Sequence, residues 1–325
     1  MYPGLNLVKL ANPNITWEVA QKTDIGVSGR FLNNFSFELI YFQQKRKDIL
    51  APRNASVPNV TGIVNPYGSG SLVPDENIGQ VNNNGFETTL GYDKDAGEFK
   101  YHISGNFTYA KNEIVFVDEA SSVLEYQRRT GKPLNTSLLY RSIGIYRTQE
   151  DLDRFPHAPG AKLGDVILED YNQDGKISGD DMVRTDLGNI PQITYGLNLS
   201  AEYKSFDLSV LFQGQAKVRQ YVLPDVGISG NFFSTWADNR WSPTNPGGSY
   251  PRVDTRTGSA VSGGLNPNDF WFYNTAFLRI KNVELGYNLP AQLLSKIKIE
   301  NVRVYANAFN LATFTKVKDL SLIHI

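Results

Sequence analysis

The chain lacks several things that would each have named a function class. It has no cysteine in 325 residues, which excludes a disulfide scaffold, a thiol nucleophile and a cysteine-ligated zinc site. It has three histidines, His102, His157 and His324, and none forms the H-x-x-x-H pair of a zinc hydrolase. Neither sign of charge dominates: 32 Lys plus Arg face 33 Asp plus Glu, a net charge of -1. That balance speaks against a nucleic-acid binder, which needs a basic excess. No run approaches the roughly 18 uncharged apolar residues of a membrane-spanning helix. The start, Met1-Tyr-Pro-Gly-Leu-Asn6, shows no basic-then-apolar leader. No nucleophile–base pair, phosphate loop or paired catalytic carboxylate stands out, so an enzyme is not expected.

What is present is period two. From Gln192 to Lys204 the odd positions are Ile193, Tyr195, Leu197, Leu199, Ala201 and Tyr203, while the even ones are polar or glycine. Such alternation puts one face in an apolar medium and the other in a polar one. Phe206, Leu208, Val210 and Phe212 continue the pattern after Lys204-Ser205, so the two runs read as a hairpin. Val19–Phe31 pairs in the same way with Phe35–Lys47 across Leu32-Asn33-Asn34, and Gly85–Tyr92 pairs with Phe99–Tyr109 across Asp93–Glu98. In the fourth pair, Phe277–Leu289 with Val302–Leu311, the phase changes between Ile280 and Val283. One extra residue near Lys281-Asn282, a β-bulge, would explain it.

Turns within hairpins are short, and connections between hairpins are long: Ile49–Gly79, Ile114–Ile190 and Tyr221–Thr275. Short turns at one end and long loops at the other are expected of a membrane β-barrel, with the long loops outside. The strands exceed the roughly 5–6 residues usual in soluble sheets and suit a tilted crossing of about 9–11. Aromatics at 12 % (17 Tyr, 18 Phe, 4 Trp) fit strands and interfacial girdles. The expected fold is all-β: about eight strands of an antiparallel transmembrane β-barrel with long extracellular loops. The competing architecture is a soluble calcium-stabilised β-sandwich that binds glycans, whose apolar faces would close on each other.

One local motif points to a metal. Asp170-Tyr-Asn172-Gln-Asp174-Gly175-Lys176-Ile-Ser178-Gly-Asp180-Asp181 follows the calcium-loop pattern D-x-[DN]-x-[DN]-G. Asp170, Asn172 and Asp174 would give side-chain oxygens, and Gly175 the sharp turn. Lys176 would give its carbonyl, Ser178 a direct or water-borne contact, and Asp181 the closing carboxylate. Position 12 is Asp where Glu is usual, and no amphipathic helix flanks the loop; an Asx-rich turn without metal reads the same residues. The expectation is a structural Ca2+ stiffening a long loop. The aromatics Phe232, Phe233, Trp236, Trp241 and Phe270–Tyr273, with Trp271 among them, lie in or beside the third connection. Trp236, Trp241 and Trp271 are candidate substrate contacts by stacking; an interfacial girdle, loop packing or contact with a lid would use them equally. Lys45-Arg46-Lys47, at a strand end, reads as a solvated or headgroup-facing cluster.

Ordered blocks across the chain resemble the C-terminal part of SusC/RagA-type TonB-dependent transporters of the Bacteroidetes outer membrane. They are Asn12–Glu18, Phe35–Leu50, Gly144–Asp151, Gly164–Asp170, Pro191–Leu199, Phe206–Gly214, Arg240–Pro246 with Ser249–Arg252, and Phe277–Tyr287 with Asn307–Leu311. The resemblance implies an outer-membrane importer of large nutrients, usually oligosaccharides and sometimes peptides. It implies a SusD-like surface lipoprotein as lid and energy from the TonB–ExbB–ExbD complex. The family's plug, TonB box and early strands have no counterpart here, and Lys318–Ile325 departs from its final strand. The expectation is therefore an internal piece of a larger plugged barrel, of about 22 strands in the large transporters, lined by lipid outside. A siderophore or cobalamin receptor is the alternative within TonB-dependent proteins.

Overall fold

A computed structural model describes residues 9–53, 55, 72–222, 234–253, 267–294 and 299–317. Eight long strands form one antiparallel sheet: β1 (Val19–Phe31), β2 (Phe35–Pro52), β3 (Asp75–Ala96), β4 (Phe99–Phe116), β9 (Ile193–Tyr203), β10 (Phe206–Ala216), β13 (Phe277–Asn288) and β14 (Arg303–Thr315). Their order, β1-β2-β3-β4-β9-β10-β13-β14, follows the chain with no crossover. Among the described residues of the long connections, six short strands pair in three small sheets: β5 (Leu138–Tyr140) with β8 (Met182–Arg184), β6 (Ser142–Ile145) with β7 (Val166–Leu168), and β11 (Arg219–Tyr221) with β12 (Phe272–Asn274).

Residues opposite one another in an antiparallel ladder share a face. Following the register across the sheet, one row reads Phe31, Phe35, Tyr92, Ile103, Leu199, Val210, Val283, Ala308. Every strand contributes an apolar residue. The adjacent row, one residue away, reads Arg30, Ser36, Gly91, Ser104, Asn198, Leu211, Asn282, Phe309. It is polar or glycine except at Leu211 and Phe309, which flank the irregularity in β13 and β14. There the register passes from Ile280 to Asn282 and skips Lys281, so the bulge expected from the phase change lies where the sequence put it.

Among the described residues the apolar face closes on nothing. Ile25, Val27, Leu90, Phe206 and Leu285 are all exposed. In a sandwich such residues would be the core, so the sandwich architecture is excluded. The apolar band is bordered by rings on the short-turn side: Phe31–Phe35, Phe35–Tyr92, Tyr92–Tyr101, Phe99–Tyr101 and Phe99–Tyr203, with centroids 4.9, 4.4, 5.7, 5.6 and 6.4 Å apart. Phe206–Tyr287 extends the belt at 4.7 Å. On the long-loop side, Tyr41 stands opposite Phe86, and Phe86 packs on Phe107 and Tyr109, each at 5.7 Å. The ten residue-to-residue steps from Phe99 to Tyr109 of β4 rise about 34 Å, or about 25 Å along the normal at the tilt of a barrel strand. That is the height of an outer-membrane apolar band.

The strands run longer than the alternation alone defined. β2 continues past Lys47 to Pro52, and β3 and β4 extend well beyond Gly85–Tyr92 and Phe99–Tyr109. Asp93–Ala96 is strand, with Lys94 opposite Tyr101 and Asp95 opposite Lys100, and only Gly97-Glu98 turns. The ladder persists outside the hydrocarbon because backbone bonding does not require an apolar partner face, so polar strand ends carry no alternation to read. On the polar face Arg303 crosses β13 to bind Asp207 and Glu284, the latter at 2.7 Å. It passes over Gly286, where a Cβ would collide with its guanidinium.

Candidate functional site: the packed loops at one end of the wall

Among the described residues, the dry core of the molecule is in the loops. Apart from Leu294 in the short helical turn Ala291–Leu294, the buried apolar side chains sit at the long-loop ends of strands or in the connections. They include Leu139, Tyr140, Ile145, Tyr146, Val166, Ile167, Trp236, Trp271 and Phe272. The second and third long connections fold together into one head.

Their junction is polar and specific. Asp165 is 2 % exposed and receives Arg252 Nε at 2.8 Å and the Lys162 amide at 3.0 Å. The Arg252 amide donates to Gly164 O at 2.8 Å, and the Gly164 amide donates to Tyr146 O at 2.7 Å. Gly164 has φ +88° and lies beneath the Trp241 ring; a Cβ there would come within 2.8 Å of Arg252 Cβ. At a second seam, Asp269 Oδ1 accepts from the Ser142 amide at 2.7 Å and its hydroxyl at 2.6 Å, while the Tyr140 amide donates to Pro267 O at 3.0 Å. Helix α1 (Gln149–Arg154) begins with a reciprocal cap between Thr148 and Asp151, which satisfies two free amides. Hydrogen bonds from the Thr148 and Arg147 amides hold the Asp151 carboxyl below its ordinary range.

Burial acts to different ends on two groups of the head. Tyr146 is 2 % exposed, its hydroxyl donates to Pro156 O at 3.1 Å, and burial, with Asp165 adding to it, pushes its hydroxyl up to about 12. For Glu119 burial acts to raise the carboxyl, but the Arg129 amide and the Thr130 hydroxyl and amide together outweigh it and keep the group below the usual range.

The aromatic cluster expected to meet a ligand has another place. Trp236 and Trp271 are 1 % and 0 % exposed and meet edge to face at 6.0 Å. Tyr250 stacks on Trp271 at 5.9 Å and Phe270 packs against it at 5.0 Å. As a correction to the stacking expectation, these two indoles are the packing centre of the head and present no ring face outward. Trp241 is half-buried against Gly164 and Arg252. Phe232 and Phe233 lie outside the described residues.

The acidic loop 170–181 is a closed turn. Asp170 accepts from the amides of Asp174 at 3.1 Å and Gly175 at 2.8 Å, and Asn172 from that of Asp174 at 3.0 Å. Gln173 and Gly175 have φ +62° and +82°. Asp174 accepts the Lys176 amide at 2.9 Å. Asp181, with no exposure, accepts from the amides of Tyr171 at 2.9 Å, Asn172 at 3.3 Å and Ser178 at 2.7 Å. Ser178 and Asp181 cap the short 3-10 turn that follows, Gly179–Asp181. Asp170, Asn172, Asp174, Ser178 and Asp181 thus share one loop. Among the described residues no set of three or more carboxylates or imidazoles converges as a metal-ligand group. The loop is anchored by Tyr126, whose hydroxyl donates to Asp180 O at 2.6 Å, and by Gln127, bonded to Gly179 O at 2.8 Å.

A sheet with one continuous apolar face, girdles about 25 Å apart and, among the described residues, its large packed loops gathered at the long-connection end is the wall of an outer-membrane β-barrel. The family model described as "TonB dependent receptor-like, beta-barrel" matches residues 2–311, and the chain belongs to that family and to the outer membrane. It is 30 % identical over 96 % of its length to TonB-dependent receptor P3 of Formosa agariphila, and 25 % identical over 98 % to TonB-dependent receptor SusC of Bacteroides thetaiotaomicron. It spans 31 % of each of these relatives. The RagAB peptide transporter structure superposes with a TM-score of 0.67 over 98 % of this chain and 34 % of that one, at 23 % identity, a likeness of fold.

Proposed function

We propose that this chain supplies part of the barrel wall and the packed extracellular loops of an active importer for large nutrients, oligosaccharides or peptides. A SusD-like surface lipoprotein would seat on the loops, and the TonB–ExbB–ExbD complex would drive transport through a plug inside the barrel. The observation that carries the reading is the division of labour in the chain: a wall with one lipid-facing and one polar face, joined to a packed loop head at its long-connection end. A packed head gives a lid a fixed surface to close on. The fold is shared with a structure described as a peptide transporter, and the oligosaccharide class rests on the resemblance of the sequence blocks. The test is a deletion of the full-length gene. Growth should fail on one class of oligosaccharide or on peptides, and the full-length protein should co-purify with a surface lipoprotein. A defect seen only under iron or cobalamin limitation would instead assign a siderophore or cobalamin receptor.

We also propose that loop 170–181 takes a structural Ca2+. Its spacing and the left-handed turn at Gln173 and Gly175 support the reading. Calorimetric titration of the full-length protein with millimolar calcium would show uptake abolished by Asp170→Ala; no uptake by the unaltered protein would refute it.

A further inference from the structure

The apolar face ends, on the long-loop side, at Tyr109 of β4, which stands opposite Phe86 and Ile193. Directly beyond it the chain gathers lysines. Lys217 follows β10 and sets its ammonium 5.1 Å over the Tyr109 ring. Lys111 is two residues further along β4, on the same side of the strand, and is exposed. Lys132 comes from the connection after β4: the Ile114 amide donates to Lys132 O at 2.9 Å and the Gly131 amide to Ile114 O at 2.8 Å, which lays that segment beside the strand. With Tyr109, Asp186 and Gln192 these lysines line a cavity of about 440 Å³. Asp186, its side chain 84 % exposed, holds Lys132 at 2.6 Å. Among the described residues Lys111 and Lys217 have no carboxylate partner.

The level of this cleft decides what can fill it. Tyrosines border the hydrocarbon, and two strand residues add about 7 Å, so the ammonium groups stand at headgroup depth of the outer leaflet. The face is the lipid-facing one, away from the route of any nutrient. A lysine there gains about 1 kcal/mol from anionic lipid, and basic pockets at this depth take phosphorylated headgroups. We infer that the Lys111–Lys132–Lys217 cleft is a binding site for the phosphate groups of an outer-leaflet glycolipid. The site rests on the outer-membrane assignment and is independent of the nutrient imported. It fastens the loop head to the membrane surface, because Lys132 belongs to the head and Lys111 to the wall.

Native mass spectrometry of the full-length transporter, extracted from its own outer membrane, tests this. One phosphorylated glycolipid should stay bound per barrel. The double substitution Lys111→Gln, Lys217→Gln should lower retention about thirtyfold, as expected for two such lysines, while Lys111→Arg, Lys217→Arg keeps it. Lys94→Gln, at the opposite end of the same face, should change nothing. Phosphatase-treated glycolipid should be lost like the double variant, and millimolar inorganic phosphate should not displace the bound lipid. Heat-shifted gel mobility establishes that each variant is folded. Retention unchanged in the folded Gln variant, or equal for phosphatase-treated glycolipid, would overturn the site. Displacement by inorganic phosphate would make it a free-ion site and overturn it as a lipid site.

Discussion

The wall and the head of this chain solve opposite problems with the same side chains. In the wall, leucine, valine and aromatic residues point outward; Leu285 is 51 % exposed and Phe206 52 %. In the head, the same residue types are hidden, and Trp271, Trp236 and Tyr146 have almost no exposure. The wall is stable only where lipid replaces water on one face, since its stability comes from the ladder and the bilayer. The head meets water and must bury its own core. Loops therefore carry the dry interior in this chain, and regular secondary structure carries the wet and oily surfaces.

The contrast is broken most severely at the head's buried ion pair. Arg252→Ala leaves Asp165 buried and unpartnered by its guanidinium. It should cost about 3–5 kcal/mol of local stability. Limited proteolysis of the full-length protein should then cut the connections between β4 and β9 while the barrel keeps its heat-resistant gel mobility. Loss of the barrel itself would show that head and wall are one cooperative unit. Next in size is a pair of adjacent wall substitutions. Leu199→Arg puts a charge in the middle of the apolar band and should cost about 2–4 kcal/mol. Asn198→Arg, one residue away on the polar face, should stay within about 0.5 kcal/mol. Equal costs, read from urea titration of refolded protein in bilayers, would end the two-face description.

The smallest effect is on pH. The Tyr146 hydroxyl, pushed up to about 12, is held in its neutral form by burial. Its stabilising contribution is complete below the unfolded value of about 10 and is lost as pH rises from there through about 12. The Glu119 carboxyl is shifted the other way, so its contribution is present above about 4 and lost as pH falls below its lowered folded value. The head should therefore loosen at both extremes, seen as faster amide exchange between β4 and β9, while exchange in the wall stays slow. Head and wall loosening together would contradict the assignment.

The sequence is legible where physics repeats. β9 and β10 were readable nearly to the residue, because each crosses one medium on one side and another on the other. The phase change at Lys281 was readable for the same reason: a skipped residue inverts every later side chain. The ends of β2, β3 and β4 were not, because outside the membrane no face needs to be apolar. In the head, Asp165 meets Arg252 and Ser142 meets Asp269 across long stretches of chain, and no local pattern marks such pairs. Trp236 and Trp271 read as stacking surfaces because indoles serve burial and ligand contact alike; only packing distinguishes them. The lysine cleft was hidden for a similar reason, since Lys111, Lys132 and Lys217 come from three separate segments.

The most direct measurement uses the absence of native cysteine in this stretch. Single cysteines placed in turn at positions 193 to 203 of β9 in the full-length protein, spin-labelled in lipid nanodiscs, report whether each side chain meets lipid or water. Odd positions should be relaxed by oxygen and even positions by a water-soluble nickel chelate, alternating without a break along the strand. A run of consecutive positions with the same response, or oxygen access confined to the even ones, would contradict the wall described here.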